Sequence, residues 1–379
     1  MKLLRKIGRV FKNPSPAAMR EGIAIVVILC IAVALSLPQY YSDSAVAKRQ
    51  KEEIKAEKDM ITAKPEEKGM DSARLDTAAN QLKATSALSF LVVRDGCLVF
   101  EKYYDYNGNN DQCRNNVYSV TKSFMSALIG IAVREGYIGS ADDTVEKYLP
   151  EYFKQLSDPR WKKITLKHLL TMTPGFCEDL DRMTGSADWV GYIFSLPLNY
   201  DPGEEFQYAN SASHLLSVIL TKATGMSTRD FADRYLFKPL DIASPEWAKD
   251  TDGNYTGYAN LYLRPLDMAK FGWLYCSMGK WEGVQVVPEE WVTESTKVQF
   301  DLNKETDTGY ENGYGYKWWI SSKTGCHAFS ALGYGGQSIT VIPDLGLEVV
   351  ITCLPDSLSI NDEQREQFLK DYVITSIIK

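Results

Sequence analysis

The sequence predicts an α/β chain of the α+β type. One antiparallel sheet is assembled from both ends of the folded body, with helices on its faces and a helical region inserted between. Two observations predict this. Short apolar or alternating runs, the pattern of strands, fall at residues 89–104 and again between 316 and 353. The stretch between them reads as mainly helical, which leaves the two ends to share a sheet. A basic leader and an uncharged apolar run stand before the body. The 379 residues are 45 % hydrophobic and 24 % charged, which excludes a disordered or collagenous chain and a polytopic membrane protein. No segment recurs at a fixed period, which argues against a solenoid or propeller.

The N-terminal elements come first. Residues 1–22 carry Lys2, Arg5, Lys6, Arg9, Lys12 and Arg20 against a single Glu. The uncharged run from Gly22 to Leu37 follows, closed by Pro38, Gln39, Tyr40 and Tyr41. A charge at the bilayer centre is costly, so the run reads as membrane-directed. Residues 23–41 are expected to form a transmembrane helix, as an anchor or as a signal. The long basic stretch and the two tyrosines favour an anchor, whereas Ala45-Val46-Ala47 has the small-x-small form of a cleavage site. Residues 1–22 are expected to stay in the cytoplasm and the rest to be exported. The chain is then a single-pass cell-membrane protein with an extracytoplasmic body, or a secreted one if cleaved. Residues 42–69 alternate in charge from Lys48 to Lys68 and read as a solvated tether.

The folded body is expected over 70–379. Residues 71–379 hold 29 Lys/Arg against 41 Asp/Glu. Phosphate binding needs a basic face, so nucleic acid is excluded as a partner. Cys30 lies in the apolar run; Cys97, Cys113, Cys177, Cys276, Cys326 and Cys353 lie in the body without a C-x-x-C pair. That spacing argues against a zinc ribbon, and six cysteines allow 15 disulfide connectivities.

Within the body, Phe90–Val93 and Cys97–Phe100 flank Arg94-Asp95-Gly96 and predict a hairpin, because Asp-Gly is a strong turn signal. Residues 119–136 predict an apolar helix. Residues 165–172 predict a short one, ended by Pro174-Gly175, and 211–224 another, ended by Gly225. The helical insert spans about 135–310. Strands are expected at Tyr316–Ile320, Ala328–Leu332, Ser338–Ile342 and Glu348–Cys353, with a last helix over about 361–378. A groove between sheet and insert is the expected place for a site.

Three local patterns could carry chemistry. In Tyr118-Ser119-Val120-Thr121-Lys122-Ser123, Ser119 opens the apolar helix and Lys122 stands one turn later on the same face. A serine hydroxyl needs a base, and a lysine can serve only when neutral. Burial and a helix N-terminus both push its pKa in that direction. The same S-x-x-K spacing recurs at Ser277 and Lys280, where Gly279 suits a turn. Tyr208-Ala209-Asn210 precedes a helix. Its phenol could relay a proton, and its amide could hold Lys122 or a substrate carbonyl. Y-x-N also occurs at Tyr258 and Tyr310. Gly333-Tyr334-Gly335-Gly336-Gln337 joins two strands, where glycines admit close backbone approach and an N–H could complete an oxyanion hole. No G-x-S-x-G elbow and no H-E-x-x-H occurs. Of the three histidines, His168 reads as a helix-packing residue, His214 lies in an apolar helix and His327 starts a strand.

Taken in order, these features resemble the β-lactamase-related serine hydrolases of the penicillin-recognising superfamily. The likeness is to the branch of class C β-lactamases, D-alanyl-D-alanine carboxypeptidases, esterases and 6-aminohexanoate-dimer hydrolases. Residues 164–175, 202–210 and 263–272 look like blocks of that family. The resemblance implies a five-stranded antiparallel sheet with helices on both faces. It implies Ser119 as acylated nucleophile, Lys122 as general base, and Tyr208 as proton relay with Asn210 as orienter. It places substrate against Gly333, Tyr334 and Gly335, the Tyr334 N–H joining the oxyanion hole. The family carries Lys-Thr-Gly or His-x-Gly on the strand facing the site. Here Lys323-Thr324-Gly325 sits one strand too early, and the aligned position reads Ala331-Leu332-Gly333. Without that cation, an amide or ester lacking the carboxylate of a β-lactam or D-Ala-D-Ala peptide is favoured. The expectation is a bacterial, membrane-tethered serine hydrolase with a small-molecule or peptide-like substrate. No metal or organic cofactor is implied, and the oligomeric state is left open. The rivals are a penicillin-binding D,D-peptidase or β-lactamase, and a non-catalytic binding module of the same fold.

Overall fold

Asp95 and Gly96 take positive φ, 46° and 77°, the two-residue turn whose twist matches the strands it joins. From it run β1 (Ala87–Arg94) and β2 (Cys97–Tyr103), paired antiparallel. The computed structural model describes residues 59–303, 312–356 and 358–378. The expected membrane helix at 23–41, the basic segment 1–22, most of the tether and Tyr310 lie outside the described residues. Among the described residues, no helix is long and apolar enough to cross a membrane. The described residues cluster as one compact unit.

After β2 the chain leaves the sheet. β3 (Asn115–Asn116) pairs in a separate ribbon with β4 (Tyr262–Leu263). The chain re-enters through β5 (Phe300–Asp301), β6 (Asn312–Tyr314), β7 (Trp319–Ser321), β8 (Ala328–Gly333), β9 (Gln337–Ile342) and β10 (Leu347–Cys353). The order is β2-β1-β10-β9-β8-β7-β6-β5. The two ends of the body meet where β1 pairs with β10, Phe90 opposite Ile351 and Leu91 opposite Val350. The sheet therefore has eight strands where the resemblance implied five. β7 falls on the strand expected at Tyr316–Ile320, whereas β5 and β6 are two and three residues long, too short to show alternation. One of them is held close by a glycine: a Cβ on Gly313 would lie 2.7 Å from a Val298 methyl.

Alternation along β1 divides the core. Phe90 and Val92 face one cluster, with Leu75, Ala78 and Leu82 of α1 (Ser72–Leu82) and Phe368 of α6 (Asp362–Phe368). Leu91 and Val93 face the larger cluster. That cluster contains α2 (Thr121–Arg134), α3 (Leu166–Leu170), α4 (Asn210–Thr224) and α5 (Pro265–Cys276). The helical run at the C-terminus continues beyond α6 to Ser376 in wider and tighter turns. Residues 121–132 of α2 are buried on every side, so the helix forms the centre of the molecule. Phe124 on α2 stacks on Phe271 of α5 with ring centres 3.7 Å apart. The thiols of Cys97, Cys113, Cys177, Cys276, Cys326 and Cys353 are all free.

One central position breaks the apolar rule. Glu348 on β10 is fully buried, and neither carboxyl oxygen has a hydrogen-bond partner among the described residues. It packs against α5 at Gly272, where a Cβ would lie 2.1 Å from its Oε1. Burial raises its pKa well above the ordinary 4.5, so the folded protein holds it as the neutral acid. The unfolded chain releases that proton above about pH 4.5, so stability falls as pH rises through the range between the unfolded and folded pKa. Glu348→Gln removes this pH dependence. The melting temperature of the variant should gain on wild type progressively as pH rises above about 4.5; a constant difference across pH would refute a protonated Glu348.

Candidate active site

Ser119 sits in a tight turn, Tyr118–Val120, that runs directly into α2. Tyr118 is held at φ 46°, a conformation side chains other than glycine rarely take, and the Asn116 side chain accepts its N–H at 2.9 Å. One turn on, the Lys122 Nζ lies 2.8 Å from Ser119 Oγ, 2.8 Å from Asn210 Oδ1 and 2.9 Å from the Tyr258 carbonyl. Lys122 is 1 % exposed. Burial pulls its pKa down to about 7, against the nearby Glu178 carboxylate, which pulls it up. A neutral amine at that distance can take the hydroxyl proton.

The Tyr208-Ala209-Asn210 segment enters α4, whose first residue is Asn210. Glu178 fixes this entry by accepting the main-chain N–H groups of Asn210, at 2.6 Å, and Ser211. An anion there satisfies donors the helix cannot use and complements its dipole. The Tyr208 side chain stands beside Ser119. Its ring centre lies 4.9 Å from Lys122 Nζ, and the ring stacks on Trp319 at 5.9 Å. The residue is 39 % exposed, yet desolvation at its hydroxyl end pushes the phenol up to about 12, opposed by the neighbouring Ser119.

Gly333, the last residue of β8, closes the third side. A Cβ there would meet the Val117 carbonyl at 2.4 Å and come within 3.3 Å of the Ser119 nitrogen, so only glycine lets the strand approach the serine turn. Tyr334 follows, 71 % exposed, its ring edge-on to Tyr118 at 5.7 Å. Gly335 takes φ 75°. Ala331 is fully buried in β8 opposite Ile339 and offers no cation. Lys323 stands in the loop between β7 and β8, 3.5 Å from Glu366, as expected of a hairpin turn. Ser277 and Lys280 also form a turn, Ser277 capping α5 and donating to the Lys280 carbonyl. His168 supports the start of α3, its Nδ1 accepting the Thr165 N–H.

The structure thus gathers Ser119, Lys122, Tyr208, Asn210 and Gly333 at one point. Sequence reasoning missed three neighbours. The Y-x-N pattern marks Tyr258 only by its phenol, but its carbonyl holds Lys122. Glu178 carries no sequence signal, since acidic residues such as Glu178-Asp179 are ordinary in a loop. Lys317 was also invisible. It is buried at φ 65°, its Nζ reaches the Leu169 carbonyl and Met172 Sδ, and its carbonyl accepts Ser123 Oγ at 2.7 Å. Burial, and then the Lys122 charge, hold its amine well below the ordinary lysine range.

Residues 75–357 match the beta-lactamase family. The chain belongs to that family. A curated relative in the family's range of likeness is an uncharacterized protein of Alkalihalophilus pseudofirmus, 26 % identical over 328 residues, 74 % of this chain and 89 % of that one. Solved structures of like fold include a Bacillus anthracis protein assigned as a 6-aminohexanoate-dimer hydrolase, with TM-score 0.65, 21 % identity and coverage of 78 % of this chain and 80 % of that one. A family VIII carboxylesterase superposes with TM-score 0.64 and 15 % identity, covering 83 % of this chain and 98 % of that one. At these identities the structures establish fold.

The electrostatics of this beta-lactamase-family site can be read directly. The Lys122 resonance, assigned by its loss in Lys122→Met, should titrate near pH 7 in a 13Cε-lysine NMR experiment. Because Glu178 raises that pKa, Glu178→Gln should shift the titration to lower pH; a shift to higher pH would contradict the assignment.

Proposed function

We propose that the chain is an exported, membrane-tethered serine hydrolase that cleaves an amide or ester through an acyl-enzyme on Ser119. The observation that carries the reading is the buried Lys122 amine, 2.8 Å from Ser119 Oγ and with a pKa near 7. Ser119 Oγ attacks the substrate carbonyl carbon as its proton passes to Lys122. The carbonyl oxygen becomes an oxyanion held by the main-chain N–H groups of Ser119 and Tyr334. Collapse breaks the bond to the leaving amine or alcohol, which takes a proton through Tyr208. Water then attacks the ester, gives its proton back through the same groups, and releases the acid. Asn210 orients Lys122, and Gly333 and Gly335 let substrate lie along the backbone.

The missing cation at Ala331 favours a substrate without the carboxylate of a β-lactam, in keeping with the carboxylesterase and 6-aminohexanoate-dimer hydrolase among proteins of like fold. The export and tether rest on the basic segment 1–22 and the apolar run at 23–41. No step calls for a metal or organic cofactor.

Intact-mass spectrometry of the full chain in detergent tests the nucleophile. A fluorophosphonate should add once, and Ser119→Ala should abolish the adduct; a retained adduct sinks the assignment. Labelling by fluorescent penicillin would support a D,D-peptidase or β-lactamase instead. Binding of an ester or amide without turnover would support a binding module.

The pH profile tests the base. Lys122 must be neutral to accept a proton, so kcat/KM should rise with pH and level off above about 7. Lys122→Met should lower the acylation rate by about 10²–10⁴-fold, the usual contribution of a general base.

A further inference from the structure

The turn that carries the Tyr334 N–H is shaped by a side chain that plays no part in the scheme above. Gln337 is the first residue of β9 and is 1 % exposed. Its main chain pairs with Gly333, so residues 334–336 form the tip of the turn. On its other side, β9 pairs with β10 from Ile342–Leu347 as far as Ser338–Ile351. Beyond Ser338 the ladder stops, and the Gln337 amide continues it. Its Oε1 accepts the Cys353 N–H at 3.2 Å, and its Nε2 donates to the Cys353 carbonyl at 2.6 Å. The same Nε2 donates back into the turn, to the carbonyls of Gly335 at 3.2 Å and Tyr334 at 3.5 Å.

The turn is wedged as well as bonded. Gly335 and Gly336 take φ 75° and 84°. A Cβ on Gly335 would lie 2.4 Å from Pro355 Cα, and one on Gly336 would lie 3.0 Å from both Cys353 Sγ and the Ile360 carbonyl. The glycines let the turn lie flat on the end of β10, but they leave its peptide planes free to rotate. Gln337 removes that freedom by fixing the two peptide planes that follow the Tyr334 N–H. Only a primary amide of this length can accept from one main-chain N–H and also donate to several carbonyls. Glutamate when ionised cannot donate, methionine can do neither, and asparagine is one methylene short.

We propose that Gln337 is a positioning residue for the oxyanion hole. It holds the turn so that the N–H groups of Tyr334 and Ser119 converge on one oxygen. This rests on the acyl-enzyme reading, because it concerns an oxyanion that exists only in that scheme. A donor that stabilises only the tetrahedral state affects kcat rather than ground-state binding.

The test compares Gln337→Met and Gln337→Glu with wild type in the full chain, using p-nitrophenyl butyrate turnover. Rates are expressed per site titrated by fluorophosphonate. Phenylboronic acid, which forms a tetrahedral adduct with an active serine, is the second probe. Both variants should lose about 10²-fold in kcat, in the range for one oxyanion donor, with KM within about threefold, and the boronate Ki should weaken in parallel with kcat. A merely structural role would reduce the fraction of titratable sites and leave kcat per site and Ki unchanged. That outcome, on wild type that labels at Ser119, overturns the Gln337 assignment alone. Wild type that takes no label overturns the acyl-enzyme reading beneath it. If Gln337→Met does not fold, Gln337→Asn carries the same comparison, with the same direction expected.

Discussion

Holding the Lys122 amine out of water, within reach of Ser119, Asn210 and the Tyr258 carbonyl, is the constraint on which this site depends. A lysine in water carries its charge up to about pH 10.5, and here the pKa falls to about 7. The difference is on the order of 5 kcal/mol of disfavoured charge. A surface helix cannot impose that, because water would solvate the ammonium. It takes a helix buried on all sides, which α2 is from Thr121 to Ala132. Its central place, stacked through Phe124 on Phe271, is therefore a chemical requirement as well as a packing result.

The amine's partners come from distant parts of the chain, and each is fixed by its own local device. Glu178 caps the entry to α4 and so holds Asn210. His214, further along α4, pairs with the buried Asp250 at 2.9 Å, which ties the helix to the loop that leads to Tyr258. The closure of the sheet by β1 and β10 brings the Gly333 turn to the serine from the other side. The site is thus a seam between the sheet and the inserted helices, and neither part contains it alone.

The same interior tolerates two further ionisable groups, by different means. Lys317 keeps hydrogen-bond partners, the Leu169 carbonyl and Met172 Sδ, so its burial also joins α3 to the segment before β7. Glu348 has no such partners among the described residues and is accommodated as a neutral acid. An unpaired polar group in a core is destabilising.

Sequence by itself determined what local rules govern. Asp95-Gly96 fixed the first hairpin, Gly225 at φ 68° ended α4, and the Ser119–Lys122 spacing put both groups on one face. Ser277 and Lys280 share that spacing, yet Lys280 is 54 % exposed and lies 3.7 Å from Glu289, whereas Lys122 is buried. Spacing decides which side chains are neighbours along a helix, but not whether water reaches them. The Glu178 cap, the Tyr258 carbonyl, the Gln337 clamp and the short strands β5 and β6 were likewise decided only by tertiary structure. Each depends on main-chain groups brought together from positions far apart in the chain. Every residue has such groups, so the residue types along the chain do not mark which of them will meet.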